Sequence, residues 1–287
     1  MKLIKQYKNI VLAVGILTLA SCSQEDQPKE SLLDFTPKVK TDLDKWIDQN
    51  YIDPYNISVQ YEWNQNVVDN NRFLFPPEVD KVQPALEIIK KIWIDSYTTI
   101  GGKDFVKIIA PRDFVLVGGV NVNPDDVSNT LGLAEGGKRI SLFQVDYVDK
   151  KNRASVTEFV HTIQHEYVHI LNQTKIFDVE AWAKITPKDY TSDPFSISDG
   201  EAQELGFITA YARSNYTEDF AETAAIILLS SKEEYAALLA SIVNPAGVDA
   251  IKKKEALVVQ YYRDAFNIDF YELRDEAQKN TTDVLND

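Results

Sequence analysis

The segment at 165–169, His-Glu-Tyr-Val-His, is the part of the chain whose residue types and spacing are best suited to chemistry. Two histidines four residues apart on an α-helix lie on one face, so His165 and His169 can bind one tetrahedral zinc ion. Glu166 between them can reach a zinc-activated water and take its proton as general base. A catalytic zinc also needs a third protein ligand. The alternative to a zinc site is a chance occurrence of the motif on a solvated helix.

A helix has to position this motif. Ser155 and Glu158 have the spacing of a capping box, which predicts a helix from Ser155 to Leu171 or Asn172. Apolar residues recur on one side and predict its core face: Val156, Phe159, Val160, Ile163, Tyr167, Ile170 and Leu171. The other side is polar and carries every histidine of the chain, whereas a surface helix would carry Lys and Glu. The pattern therefore favours a functional face over a chance match.

The third ligand follows by elimination. His161 lies one turn before His165, out of reach of a zinc ion held between His165 and His169, and is expected to line the cleft or support a ligand. No histidine follows His169, so the third ligand is predicted to be a carboxylate on another helix. Glu218 and Glu222 lie four residues apart on an otherwise apolar helix. One of them can bind the metal while the other accepts a hydrogen bond from a ligand histidine.

Segment 211–222, Tyr-Ala-Arg-Ser-Asn-Tyr-Thr-Glu-Asp-Phe-Ala-Glu, resembles the catalytic segment of anthrax lethal factor, a gluzincin metallopeptidase. The resemblance implies that Glu218 binds zinc and that Tyr211 faces the cleft, which leaves Glu222 to support a ligand. We expect the phenol of Tyr211 to stabilise the oxyanion of the reaction. Tyr216 in that role, or a packing role for Tyr211, are the alternatives.

The chain from its leader through the motif helix to segment 211–222 resembles the substrate import-associated zinc metallohydrolase lipoproteins. This resemblance implies a cell-surface zinc peptidase acting on peptides or glycopeptides, with a TonB-dependent outer-membrane importer as partner. The alternative is a binding or accessory lipoprotein of an import complex that keeps the fold with little or no turnover. The intact Glu166 favours the enzyme, because an unused general base can drift to another residue at little cost in stability.

The N-terminal residues have the form of a lipoprotein leader. A basic start precedes an apolar run at 10–20 that is too short to span a bilayer, and 19–22, Leu-Ala-Ser-Cys, has the form of a lipobox. Cys22 is the only cysteine, which excludes a disulfide within the chain and favours lipidation. We therefore predict a signal peptide at 1–21, a lipidated tether at 22–31 and one metallopeptidase domain at 32–287. The predicted location is the outer membrane, lipid-anchored and facing the cell exterior.

The charge of the chain excludes one class of partner. The leader carries three lysines and no acid, so its removal takes the formal charge from −14 to −17. A surface this negative repels the phosphates of nucleic acid, so no nucleic-acid partner is expected.

The remaining pattern predicts an α+β fold of the zincin type: a small mixed sheet, the motif helix packed on it, and an all-α C-terminal half. Helices are predicted at Phe35–Gln49, ending in the turn at 53–56, and at Val79–Ser96, Glu201–Tyr211, Thr217–Ser230, Lys232–Ile242, Pro245–Phe266 and Phe270–Gln278. Strands are predicted at Ile57–Trp63, Phe105–Ala110, Phe114–Val117, Leu131–Ala134 and Arg139–Val145. We expect an extended substrate to add to the edge strand Leu131–Ala134, where Gly132 would let another backbone approach. The alternative is that Gly132 relieves twist in a buried strand.

Overall fold

A mixed sheet with the motif helix lying against it forms the frame of the molecule. The computed structural model describes residues 39–69, 71–122, 129–130, 132–135 and 138–287. The predicted leader, Cys22 and the tether lie outside these residues, as do Leu131 and the glycines at 136 and 137. The residues Asp42–Asp287 form one compact unit.

The described elements include both helices and strands up to residue 142 and are all helical thereafter. The strands are β1 Ser58–Gln60, β2 Asp113–Leu116, β3 Asn121–Val122, β4 Asn129–Thr130, β5 Gly132–Glu135 and β6 Arg139–Leu142. The helices are α1 Asp42–Ile47, α2 Asp53–Tyr55, α3 Val79–Ile89, α4 Asp95–Gly101, α5 Phe105–Ile108, α6 Arg153–Thr174, α7 Val179–Ala183, α8 Asp199–Glu204, α9 Tyr216–Leu229, α10 Lys232–Ser241, α11 Pro245–Phe266 and α12 Phe270–Asn286. Turns of π-helix, Asp48–Ile52 and Lys90–Ile94, join α1 to α2 and α3 to α4, and 3₁₀ turns occur at Val145–Tyr147, Pro194–Ser196 and Tyr211–Ser214.

The main sheet has the order β1-β2-β6-β5, with β1, β2 and β6 parallel and β5 antiparallel at one edge. In the register of the edge pair, Gly132 lies opposite Leu142 and Glu135 opposite Arg139. β3 and β4 form a separate antiparallel pair. The prediction of a small mixed sheet is confirmed, and β5, which overlaps the predicted strand Leu131–Ala134 from Gly132 onward, is an edge strand within the described residues.

Both faces of the central strands are covered. Phe114 and Leu116 point into the main core, whereas Val115 packs with Val117 and Phe143 in a second, smaller cluster. Because successive side chains of a strand point to opposite faces, an apolar run such as 114–117 indicates a strand buried on both sides. The motif helix α6 contacts β5 and β6.

The motif helix is anchored by aromatic packing on its core face. The ring of Tyr167 is fully buried, with its centroid 4.9 Å from those of Trp93 and Tyr97. Burying such a side chain contributes on the order of 1.5–3 kcal/mol, so this face sets the rotation of α6. The hydroxyl groups of Tyr97 and of Tyr262 on α11 are also hydrogen-bonded, with their oxygens 3.0 Å apart.

The predicted N-cap of this helix, Ser155, is wrong by three residues. Asn152 is the N-cap, and its side chain accepts hydrogen bonds from the backbone N–H groups of Ala154 and Ser155. The hydroxyl of Ser155 instead accepts a hydrogen bond of 3.0 Å from the backbone N–H of Asp149. Asn is as good an N-cap as Ser, so the sequence offers Asn152 as a second possible N-cap three residues before Ser155.

Other predicted elements differ from the structure. The strand predicted at Phe105–Ala110 is wrong, because residues 105–108 form the short helix α5. Gly102, with φ +96°, ends α4 and turns the chain so that Phe105 stacks on Tyr97 with the ring centroids 5.8 Å apart. A short apolar run cannot be assigned to helix or strand by periodicity alone, and here tertiary packing decided.

The predicted helix Glu201–Tyr211 ends early. Helix α8 stops at Glu204, and Gly206 has φ +91°, in the left-handed region that glycine favours. The helix predicted at Val79–Ser96 continues through a π turn to Gly101. The first helical segment was predicted to end in the turn at 53–56, and it ends at the last residue of that turn, Asn56, which has φ +55°. The all-α C-terminal half is confirmed. In the part of the chain that the structure describes, no helix is long and apolar enough to cross a membrane.

Candidate metal centre

Three histidines lie along one face of α6. The rings of His165 and His169 are 4.8 Å apart between centroids, and the ring of His161 is 6.0 Å from that of His165. His165 is buried, whereas His161, Glu166 and His169 are partly exposed. The face predicted as polar therefore lines a partly enclosed site, and Glu166 is positioned between the two histidines of the motif.

Helix α9 lies against α6 and supplies the carboxylates. Its N-cap is Asn215, whose side chain accepts hydrogen bonds from the backbone N–H groups of Thr217 and Glu218. Glu218 thus lies in the first turn, where the helix dipole favours a negative charge. Glu222 follows one turn later and is 3% exposed. The spacing of four residues places both carboxylates on the side that faces the histidines.

One nitrogen of each motif histidine and one oxygen of Glu218 form a nearly equilateral triangle. Oε2 of Glu218 lies 3.0 Å from Nε2 of His165 and 3.2 Å from Nε2 of His169, and the two nitrogens are 3.1 Å apart. Zinc bonds to nitrogen and oxygen are about 2.0–2.1 Å long, which puts tetrahedral ligands about 3.3 Å apart. The three donors therefore have the chemical type and the spacing that a zinc ion requires.

Glu222 contacts the other side of the His165 ring. Its Oε1 lies 2.7 Å from Nδ1 of His165 and 3.0 Å from Nε2 of His161, and its Oε2 accepts a hydrogen bond of 2.9 Å from the hydroxyl of Thr209. Histidine ligands of metals commonly carry a carboxylate on the second ring nitrogen, which fixes the tautomer and the ring orientation.

His161, His165 and Glu222 make a second cluster with the residue types of a metal site. Its donor atom on His165 is Nδ1, the nitrogen at hydrogen-bonding distance from Glu222. When Nδ1 carries the proton, only Nε2 of His165 presents a lone pair, and that nitrogen points towards Glu218 and His169. The cluster of His165, His169 and Glu218 is therefore the better metal site.

The charges of the site are strongly coupled. Burial disfavours a charged His165, but Glu218 and Glu222 outweigh it and raise the pKa of His165 from 6.5 to about 10. Burial would raise the pKa of Glu218, yet hydrogen bonds from His165 and His169 hold that pKa well below its usual range. In the same way, His161 and His165 overcome burial and lower the pKa of Glu222. A metal cation at this site would replace the proton of His165.

Tyr211 lies beside the triangle. Its ring centroid is 5.9 Å from that of His165, and the ring stacks on Phe195 with an interplanar angle of 13°. Burial and then the carboxylate of Glu218 raise the pKa of Tyr211, so the phenol stays protonated at neutral pH. A neutral hydroxyl at this position is a hydrogen-bond donor available to the site. Tyr216, the first residue of α9, is 43% exposed.

A buried ion pair behind the centre was not predicted from the sequence. Asp219 and Lys254 are both fully buried, with Nζ 2.7 Å from Oδ2, and Lys254 also donates to the backbone oxygen of Gly206 at 2.8 Å. Trp182 and Tyr190 donate to the same carboxylate oxygen at 3.0 and 2.7 Å. These contacts attach α9 to α11 and to segment 182–206. The signal in the sequence was Lys254, the single charged residue among the buried positions of α11.

Comparisons with known proteins identify a family for the chain as a whole. The family model described as "putative zinc-binding metallo-peptidase" matches residues 36–271. A crystal structure titled as a putative zinc-binding metallo-peptidase from Bacteroides caccae ATCC 43185 is 30% identical in sequence, with a TM-score of 0.71, and the match covers 88% of this chain and 97% of that chain. No curated protein matches the chain. The chain belongs to the putative zinc-binding metallo-peptidase family.

Proposed function

We propose that the protein is a zinc-dependent peptidase of the gluzincin type, with a zincin-like fold and with zinc bound by His165, His169 and Glu218. The observation that carries this proposal is the triangle of donor atoms with sides of 3.0–3.2 Å, beside which Glu166 lies on the same helix. Zinc at this position would act as a Lewis acid, lowering the pKa of water and polarising a substrate carbonyl.

Each residue of the chain has a role that follows from its position. Glu166 accepts the proton of the attacking water and passes it to the leaving amine, because it is a partly exposed carboxylate next to the two ligand histidines. Glu222 holds His165 through Nδ1, so the ring does not rotate away from the metal. His161 supports Glu222 from the other side.

The hydroxyl of Tyr211 donates to the oxyanion that forms when the carbonyl is attacked. Its position beside His165 and its raised pKa support this role, because a neutral donor stabilises developing negative charge without adding a charge of its own. The stacking on Phe195 restricts the ring and so reduces the entropy lost when the hydroxyl is positioned.

An extended peptide substrate binds along β5. Among the described strands it is at the edge of the sheet and it contacts α6, so its outward backbone groups can pair with a peptide whose scissile bond lies over the motif. Such pairing gives affinity that is independent of the peptide's side chains.

The experiment that tests the peptidase is incubation of the purified protein with a diverse peptide library, with a chelator and after zinc is restored. Hydrolysis that the chelator stops and zinc restores is expected. Glu166→Gln should keep stoichiometric zinc and lose about 10²–10⁴ in rate, the range of general-base catalysis. His165→Ala should lose the zinc. Zinc binding without hydrolysis of any peptide would support the alternative, a binding or accessory protein.

The location and the partner rest on the sequence. The lipobox ending at Cys22 supports a lipid anchor in the outer membrane, and the resemblance to import-associated lipoproteins supports a TonB-dependent importer as partner. Cys22→Ser should move the protein from the membrane fraction to the soluble fraction, since a negatively charged chain has no other attraction to an anionic bilayer. Continued membrane association of that variant would exclude the anchor.

A further inference from the structure

A cavity of about 230 Å³ lies along the N-terminal half of the motif helix. One wall is a single face of α6, with Ser155, Glu158, Phe159 and Thr162. The other wall is the segment 143–148, which follows β6. The volume is well above the roughly 10–15 Å³ that one water molecule needs and below the about 300–1,000 Å³ of pockets that enclose a whole ligand. The cavity is therefore of the size that accommodates one side chain.

The cavity adjoins the proposed catalytic centre. Thr162 is four residues before Glu166, so a rise of about 6 Å along the helix, slightly more than one turn, separates this end of the cavity from the general base. The opposite wall begins one residue after Leu142, which pairs with Gly132 of the edge strand β5. A peptide that lies along β5 with its scissile bond over the motif would therefore bring a neighbouring side chain to the cavity.

The segment that forms the second wall is held in place. Gln144 has φ +62°, a conformation that is strained for a non-glycine residue and is retained only where its surroundings enforce it. Its backbone N–H donates to the oxygen of Gly119 at 2.9 Å, and the hydroxyl of Ser155 on α6 accepts from Asp149. The turn at Gln144 directs the 3₁₀ turn Val145–Tyr147 to the cavity, so this wall is already formed before a ligand arrives.

The lining has the chemistry of a site for a cation. Among the lining residues, Glu158 alone is charged, and it is exposed at the cavity. Tyr147 is 63% exposed and offers an aromatic face, and Gln144 offers an amide oxygen. A carboxylate with an aromatic ring beside it attracts ammonium and guanidinium groups. The apolar surface of Phe159 can cover the methylene stem of such a side chain.

We propose that this cavity is a specificity pocket for a lysine or arginine side chain next to the scissile bond of the substrate. The proposal rests on the peptidase function above and adds the substrate class. The formal charge of −14 acts in the same direction, because a negative surface raises the local concentration of cationic peptides.

The test compares zinc-loaded wild-type protein with two charge reversals, Glu158→Lys in the pocket and Glu233→Lys at the exposed start of α10 as control. The substrates are peptides of one sequence in which each position in turn is Lys, norleucine or Glu, and cleavage sites are read by mass spectrometry. A second arm measures binding of the same peptides to the zinc-loaded Glu166→Gln protein, with and without Glu158→Lys.

Wild-type protein should prefer Lys to norleucine next to the cut bond by about fivefold in kcat/KM, the effect of one partly solvated ion pair. Glu158→Lys should reverse the preference between Lys and Glu by more than about tenfold, while Glu233→Lys keeps it. If the protein hydrolyses peptides but its preference for Lys does not depend on Glu158, the specificity pocket is wrong and the peptidase function is retained. If Glu166→Gln protein binds peptides in a lysine-dependent way but wild-type protein hydrolyses none of them, the pocket is retained and the peptidase function is wrong. Absence of both binding and hydrolysis would overturn both.

Discussion

Glu222 contacts His165 on the ring nitrogen that faces away from Glu218, with Oε1 of Glu222 2.7 Å from Nδ1. The contact favours a proton on Nδ1, so Nε2, which lies 3.0 Å from Oε2 of Glu218, is the nitrogen that would bind a metal. The two carboxylates of α9, one turn apart, therefore hold one imidazole from both sides. If Glu218 binds zinc as proposed, Glu222 is the residue that orients His165 towards the same ion.

Glu222→Gln should weaken zinc binding by about 10–100-fold, the usual effect of losing the outer partner of a histidine ligand. The amide has the same shape but no charge, so it polarises the ring less. Competition with a chelator of known affinity measures the change. Glu233→Gln, an exposed glutamate, is the matched control and should leave the affinity unchanged. Equal affinities of wild type and Glu222→Gln would show that packing alone orients His165.

Tyr211→Phe should lower kcat by about 10²–10³, the range for one oxyanion donor, with zinc content and KM close to those of the parent. The ring and its stacking on Phe195 remain, so only the hydroxyl is removed. Tyr216→Phe is the control, because Tyr216 belongs to the same segment and is half exposed. Steady-state measurements of kcat and KM on one cleaved peptide compare the Tyr211→Phe and Tyr216→Phe variants with the parent. A larger loss in Tyr216→Phe would transfer the role to that residue.

Lys254→Met should destabilise the fold by about 3–5 kcal/mol, because it leaves the carboxylate of Asp219 buried without its cation. The double variant Asp219→Asn with Lys254→Met should recover much of that free energy. Lys253→Met is the neighbouring control: its ion pair with Asp249 is exposed and is worth at most about 1 kcal/mol. Urea unfolding of the zinc-loaded proteins measures all three. A loss in Lys254→Met no larger than in Lys253→Met would contradict the assigned role of the pair.

The metal-free protein should lose stability as the pH rises. Glu218 and Glu222 raise the pKa of His165 to about 10 from 6.5, so the folded state holds a proton that the unfolded chain releases earlier. A raised pKa gives stability that is complete below pH 6.5 and is lost as the pH rises through about 10. Melting temperatures from pH 6.5 to 10 in chelator, compared with His165→Gln, isolate this contribution. If the melting temperature of the metal-free parent depends on pH in the same way as that of His165→Gln, the coupling of His165 to Glu218 and Glu222 is contradicted.

The sequence by itself determined the elements whose signal is local. The spacing of His165, Glu166 and His169 implies one helical face, and the apolar stripe ending at Leu171 implies which side is buried, because both depend only on the helical repeat. The helical C-terminal half followed from long amphipathic segments such as Pro245–Phe266, whereas the strands of the sheet were short apolar runs bounded by turn residues and could be predicted less securely. The family resemblance, and not geometry, selected Glu218 over Glu222 as ligand.

Only the tertiary structure decided what depends on contacts between distant segments. It placed Glu222 on Nδ1 of His165 and paired Asp219 with Lys254, because side chains on α6, α9 and α11 meet only after the helices pack. It made residues 105–108 a helix, since stacking of Phe105 on Tyr97 outweighs a weak strand pattern. It also formed the cavity at Glu158, where a helix face and the turn after β6 come together although nothing in either segment alone marks a pocket.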